Sequence, residues 1–179
     1  MPLPEHAVIL LAEDLPDDIV LIRRALERAG VKNPFFVVRD GEECLAYLEG
    51  MGKYANRDEY PLPDILLLDI KMPKTDGFEV LRTIRSIKSL SALRIVMLTS
   101  SEEIFDINKA YGLGANSFLV KPLEFEDFTA MMRTLSSFWL HTNTAASIQR
   151  PPSKDKSRGK NGDKNGTGSG HTSSPKRHL

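Results

Sequence analysis

The chain has 179 residues, is 41% hydrophobic and 27% charged, and has a formal net charge of zero, which fits one ordinary globular domain. The neutral total conceals a division. Residues 1–141 sum to −6, whereas residues 142–179 hold eight Lys/Arg against two Asp and sum to +6. A lone cysteine, Cys44, excludes an internal disulfide, and no apolar run nears the ~18 residues of a membrane span. The N-terminus has no basic stretch, and Glu13 and Asp14 break its apolar run, so a signal peptide is excluded and a soluble, cytoplasmic protein is expected.

From Glu5 to His141, short apolar runs alternate with helical periodicity. Val8–Ala12 is a strand ending at Glu13-Asp14, and Pro16 then suits a first helical turn. Ile19, Ile22, Leu26 and Ala29 form one helical stripe that Gly30 stops. Phe35–Val38 reads as the second strand. Asp40 with Glu43 makes a capping-box start for a helix carrying Cys44, Leu45 and Leu48, with Cys44 as a small buried residue. Gly50–Pro63 is a long connection expected at the surface. Ile65–Leu68 is apolar throughout, as at the centre of a parallel sheet, and runs into Asp69.

Met72–Gly77 is a turn, after which Phe78, Leu81 and Ile84 recur at helical spacing. Ile95–Leu98 is a fourth strand, ending at Thr99. Ser100 and Glu103 then read as a capping box for a helix with Ile104, Ile107 and Tyr111, closed by Gly112 and Gly114. Phe118–Val120 is a fifth strand, ending at Lys121-Pro122, and a last helix carries Phe128, Met131, Met132, Leu135 and Trp139. Five βα units joined this way predict a right-handed α/β sheet covered on both faces. Residues 142–179, rich in Ser, Gly, Lys and Asn, lack the apolar side chains to offset ordering entropy and are expected to be a disordered basic tail.

In a parallel sheet the residues just past the strands converge at one edge. Here they would gather Glu13, Asp14 and Asp69, one hydroxyl (Thr99) and one ammonium (Lys121). Clustered carboxylates suit Mg²⁺, which is held by one or two carboxylates, waters and phosphate oxygens. Asp69 can accept a phosphoryl group as an aspartyl phosphate. Lys121 would balance the charge and contact a phosphoryl oxygen, and Thr99 would donate a hydroxyl hydrogen bond to it. Read singly, an Asp at a strand end is a turn or cap residue, a Lys-Pro a loop, and Thr99 a partner of Ser100 in capping.

ILLAED at Glu13 and Asp14, DILLLDIKMPKTDG around Asp69, RIVMLTSS at Thr99 and GANSFLVKP at Lys121 closely resemble the receiver domain of two-component response regulators. The resemblance spans residues 5–141 and implies a flavodoxin-like, doubly wound five-stranded parallel sheet, order 2-1-3-4-5, the fold of chemotaxis receivers. It implies Asp69 as phosphoacceptor, and Mg²⁺ held by Glu13, Asp14, Asp69 and the backbone carbonyl of Lys71. Thr99 and Phe118 would be the switch pair and Lys121 the phosphate-contacting lysine. Phosphorylation would draw Thr99 in and turn Phe118 inward. Phe118 lacks the hydroxyl of a Tyr at this position.

The long Gly50–Pro63 connection and the Phe138-Trp139-Leu140 end also resemble single-domain regulators that partner bacterial phytochromes. The implied partner is a sensor histidine kinase, a bacteriophytochrome among the candidates, or a phosphotransfer protein. Met131, Met132, Phe138 and Trp139 could partly form a homodimer or kinase-docking surface; core packing is the favoured reading for Met131 and Met132, whereas Phe138 and Trp139 cannot both point inward easily. No helix-turn-helix follows, and neither nucleic acid nor a membrane is expected as a partner. A phosphatase of the haloacid dehalogenase type also forms aspartyl phosphate but needs a second Asp two residues on, where this chain has Lys71. The expected chemistry is phosphoryl acceptance and loss rather than enzymatic turnover. A phosphorylation-independent binding module is the remaining rival.

Overall fold

The computed structural model describes residues 6–100 and 103–142. Five strands, β1 (Ile9–Ala12), β2 (Phe35–Val38), β3 (Ile65–Asp69), β4 (Arg94–Thr99) and β5 (Ser117–Val120), pair in parallel in the order 2-1-3-4-5. This is the doubly wound, flavodoxin-like sheet expected. Helices α1 (Pro16–Arg28), α2 (Gly41–Glu49), α3 (Gly77–Ser86), α4 (Ile104–Gly112) and α5 (Phe125–Ser136) follow the strands in turn. The last runs on as a π-helical segment, Ser137–Thr142.

Side chains alternate along a strand, so each central strand supplies two cores. Leu10, Leu66, Leu68, Ile95 and Met97 face the layer of α2, α3 and α4. Ile9, Leu11, Ile65, Leu67, Val96 and Leu98 face α1 and α5. Every residue of β1, β3 and β4 is buried, which explains why their sequences read as unbroken apolar runs.

Local signals set the helix ends. Pro16 occupies the first position of α1, and Gly30, at φ +83°, follows its C-cap. Asp40 caps α2 by accepting the Glu43 N–H at 2.7 Å, while the Glu43 carboxylate accepts the Arg39 N–H at 2.7 Å. That is the expected capping box with its return bond moved one residue upstream. Asp76 caps α3 by accepting the Glu79 N–H at 2.9 Å.

Three expectations need correction. Gly50–Pro63 is not simply a surface loop: Tyr54 is buried, and Tyr60 and Leu62 pack on the core. Its Arg57 guanidinium donates to the Tyr47 and Leu48 carbonyls at 2.7 Å each, capping the end of α2, whose last turn has no base of its own. Second, α4 begins at Ile104 with Glu103 at its N-cap and no side-chain capping bond, so Ser100 caps nothing there. Ser101 and Glu102 lie outside the described residues. Third, the stripe assigned to α4 does not face the core. Ile104 and Tyr111 are 75% and 51% exposed, and only Ala110 is buried, because α4 rests on the sheet through this small residue.

The expected end of α5 is half right. Met132 and Trp139 are core residues, Met131 is half-buried, and Phe138 is exposed, as two adjacent aromatics on one helix require. At the pole opposite the carboxyl ends of the strands, Arg85 of α3 donates to the carbonyls of Gly114, Ser91 and Leu93 and to Asn116 Oδ1. The tail expected over 142–179 lies, from residue 143, outside the described residues. Among the described residues no helix is long and apolar enough to cross a membrane.

Gly77 is required by space. A Cβ there would lie 2.2 Å from the Asp69 carbonyl oxygen, whereas one on Gly112 meets nothing within 4 Å. Gly77→Ala is therefore expected to cost about 1–3 kcal/mol in urea denaturation, with Gly112→Ala near neutral or stabilising. Glu43 supplies a pH test. Burial favours its protonated form, but hydrogen bonds from Lys53, Tyr54 and the Arg39 N–H outweigh this and lower its pKa from 4.5 to about 2. The resulting stabilisation is complete above pH 4.5 and is lost as pH falls from 4.5 through 2. The stability gap between wild type and Glu43→Gln should close across that window in acid denaturation.

Candidate functional site

The carboxyl ends of β1, β3 and β5 place Glu13, Asp14, Asp69 and Lys121 in one cluster. The registers Ala12 with Leu68 and Asp69 with Leu98 align the first strand ends, and Thr99 pairs with Val120 just before Lys121. One oxygen from each of Glu13, Asp14 and Asp69 lies within 4.8 Å of the others. Glu13 and Asp69 are buried, at 1% and 6% exposure.

Lys121 Nζ lies 2.6 Å from Glu13 Oε2, 3.0 Å from Asp69 Oδ1 and 2.7 Å from Asp18 Oδ2. Burial opposes the charge on this ammonium, yet its hydrogen bonds to Asp18 and Glu13 and the Asp69 charge raise its pKa overall. It is therefore a permanent cation. Burial also raises the pKa of Glu13 and of Asp69, and neighbouring carboxylates add to both shifts against the pull of Lys121. Burial is the larger cause of both shifts, and the excess of carboxylates over one ammonium adds to it.

The arrangement fits a divalent cation. Asp14 Oδ1 is buried and has no hydrogen-bond partner among the described residues, an expensive state for a carboxylate oxygen that a hard cation relieves. Both Glu13 oxygens are engaged, Oε1 by the Leu15 N–H at 3.1 Å and Oε2 by Lys121. The Lys71 N–H donates to Asp69 Oδ2 at 2.7 Å, which holds the Lys71 peptide against the cluster while its side chain is exposed.

Thr99 is buried at the end of β4, and its carbonyl accepts the Lys121 N–H at 2.7 Å. Phe118 pairs in register with Met97, two residues before Thr99, and its half-buried ring packs on the core beneath α2, α3 and α4. The residues read from sequence thus lie on neighbouring strand ends. Asp18 was missed. It sits in the first turn of α1, where an acid reads as a helix-terminus residue, and only its spacing of four from Asp14 points to the same edge.

Residues 9–133 match the model of the response regulator receiver domain. The chain is 40% identical over 139 residues to the probable methanogenesis regulatory protein FilR2 of Methanothrix harundinacea, covering 76% of this chain and 85% of that protein. It is 36% identical over 137 residues to response regulator Rcp1 of Synechocystis, covering 76% and 91%. Among solved structures it is similar to the phosphorylated cyanobacterial phytochrome response regulator RcpA, with TM-score 0.73, 38% identity, and 79% and 99% of the two chains covered. The Mn²⁺-bound form of Rcp1 gives a TM-score of 0.71 at 34% identity, with the same shares covered. The bacteriophytochrome response regulator AtBRR gives 0.63 at 46%, covering 76% and 96%. With its sheet order, its acidic strand-end cluster and these likenesses in accord, this chain belongs to the response regulator receiver domain family and is homologous to phytochrome response regulators.

Proposed function

We propose that this is a cytoplasmic single-domain response regulator whose receiver spans residues 5–141, followed by a basic tail over 142–179. It takes a phosphoryl group onto Asp69 from a sensor histidine kinase or a phosphotransfer protein. The likeness to RcpA and AtBRR favours a phytochrome-type kinase as donor. The observation that carries this reading is Asp69 itself, a buried carboxylate 3.0 Å from the Lys121 ammonium and beside the unpartnered oxygen of Asp14.

In this reading an Asp69 carboxylate oxygen bonds to phosphorus while the bond to the donor breaks and the donor leaves with its electron pair. A divalent cation, which we take to be Mg²⁺, neutralises charge on the incoming phosphoryl oxygens when bound. Glu13, Asp14, Asp69 and the Lys71 carbonyl would hold it, and Glu13, whose oxygens also accept from Leu15 and Lys121, would anchor the lysine as well. Lys121 orients the phosphoryl group and offsets its charge. Thr99 and Phe118 would report the event to α4 and β5, and the output is altered protein contacts rather than turnover. The exposed α4 and Phe138 residues would offer a surface to a partner or a second copy.

Incubation with acetyl phosphate and Mg²⁺ should give a labile, stoichiometric adduct that Asp69→Asn abolishes, read by intact-protein mass spectrometry. Sustained multiple turnover of the phosphodonor would favour a phosphatase, and no adduct would leave only a binding module. Asp14→Ala should weaken Mg²⁺ binding at least about tenfold by calorimetry, because it removes the oxygen that the protein leaves unpartnered.

A further inference from the structure

An ammonium has three N–H donors. In this protein Lys121 donates to Glu13 at 2.6 Å and to Asp18 at 2.7 Å, and Asp69 Oδ1 stands 3.0 Å away as an ion-pair partner. A phosphoryl oxygen approaching Lys121 meets an ammonium already surrounded by three carboxylate oxygens, and its approach is eased when one of them gives way. Glu13 is buried and is also held by the Leu15 N–H, and Asp69 is the acceptor of the group. Asp18 is the most exposed of the three, with 30% of its side chain accessible.

The position of Asp18 is built rather than incidental. It is the third residue of α1, the place from which a capping-box acid reaches back to the N-cap N–H. That N–H belongs to Leu15 and is taken by Glu13 Oε1. With its ordinary target occupied, the Asp18 carboxylate turns to Lys121 and ties α1 to the loop after β5. Asp17, beside it in the same turn, borders a groove with Val20, Leu21, Arg24 and Phe125 instead.

We propose that Asp18 is a positioning residue, which in the resting protein holds one N–H of Lys121 and competes for the ammonium with the phosphoryl donor. Transfer exchanges the Asp18–Lys121 bond for one between Lys121 and a phosphoryl oxygen, so uptake at Asp69 is coupled to release of α1. This deepens the reading of Asp69 as phosphoacceptor and rests on it.

The test is saturation kinetics of acetyl phosphate with Mg²⁺ on the full chain. Asp18→Asn should lower KM about three- to tenfold, the net worth of one hydrogen bond, with a smaller change in maximal rate. Asp18→Glu should restore the wild-type KM, and the fall should vanish in a Lys121→Met background. An unchanged KM, or a fall that persists without Lys121, overturns the proposal. A metal-free readout runs alongside. In urea denaturation, a double-mutant cycle of Asp18→Asn and Lys121→Met should show coupling equal to at least about a fivefold change in the unfolding constant. Additive effects would refute the pairing. If the wild-type chain forms no adduct, the phosphoacceptor reading itself fails, an outcome distinct from a phosphorylated wild type with an indifferent Asp18 variant.

Discussion

The structure turns on one buried ammonium standing among more carboxylates than it can neutralise. Lys121 meets Glu13, Asp18 and Asp69, and Asp14 keeps a buried oxygen with no hydrogen-bond partner among the described residues. Such a cluster is unfavourable in isolation, since burial penalises every charge in it. The rest of the fold holds it in place. The ends of β1, β3 and β5 deliver the groups, two apolar cores fix the strands, and the tight approach of Gly77 to the Asp69 carbonyl fixes the turn that follows β3. A site assembled against its own repulsion is already poised for a cation and for a group whose arrival alters the charge balance.

The parts of the fold legible in the sequence were those where one force dominates. Ile65–Leu68 and Ile95–Leu98 are buried on both faces, so their unbroken apolar runs had one economical reading. The cap at Asp40 and the start at Pro16 depend on residues close in the chain. The strand-end residues were legible because parallel pairing converts chain position into spatial position. Asp69, Asp14 and Lys121 could be set together with no knowledge of side-chain geometry.

The rest was illegible because it depends on side-chain contacts that local periodicity does not encode. The Gly50–Pro63 segment reads as polar surface, yet Arg57 reaches the carbonyl end of α2, and Tyr54 and Tyr60 pack against Tyr47, one ring tilted and the other edge-on. In α4 the apolar residues recur at helical spacing, but periodicity does not say which face meets the sheet, and the small Ala110 makes that contact. Asp18 lies 103 residues from the lysine it holds, and its place near a helix N-terminus supplied a sufficient local explanation.

The guanidinium of Arg85 has a mechanical meaning for α4. It grips Gly114 and Asn116, just beyond the lower end of that helix, together with the loop leading into β4. The upper end of α4 begins at Ile104, on the Thr99 side of the sheet, and among the described residues of the helix Ala110 is the buried one. Held at its base by Arg85 and seated through Ala110, α4 would answer a displacement at its upper end by tilting, and the exposed Ile104 and Phe105 would move with it.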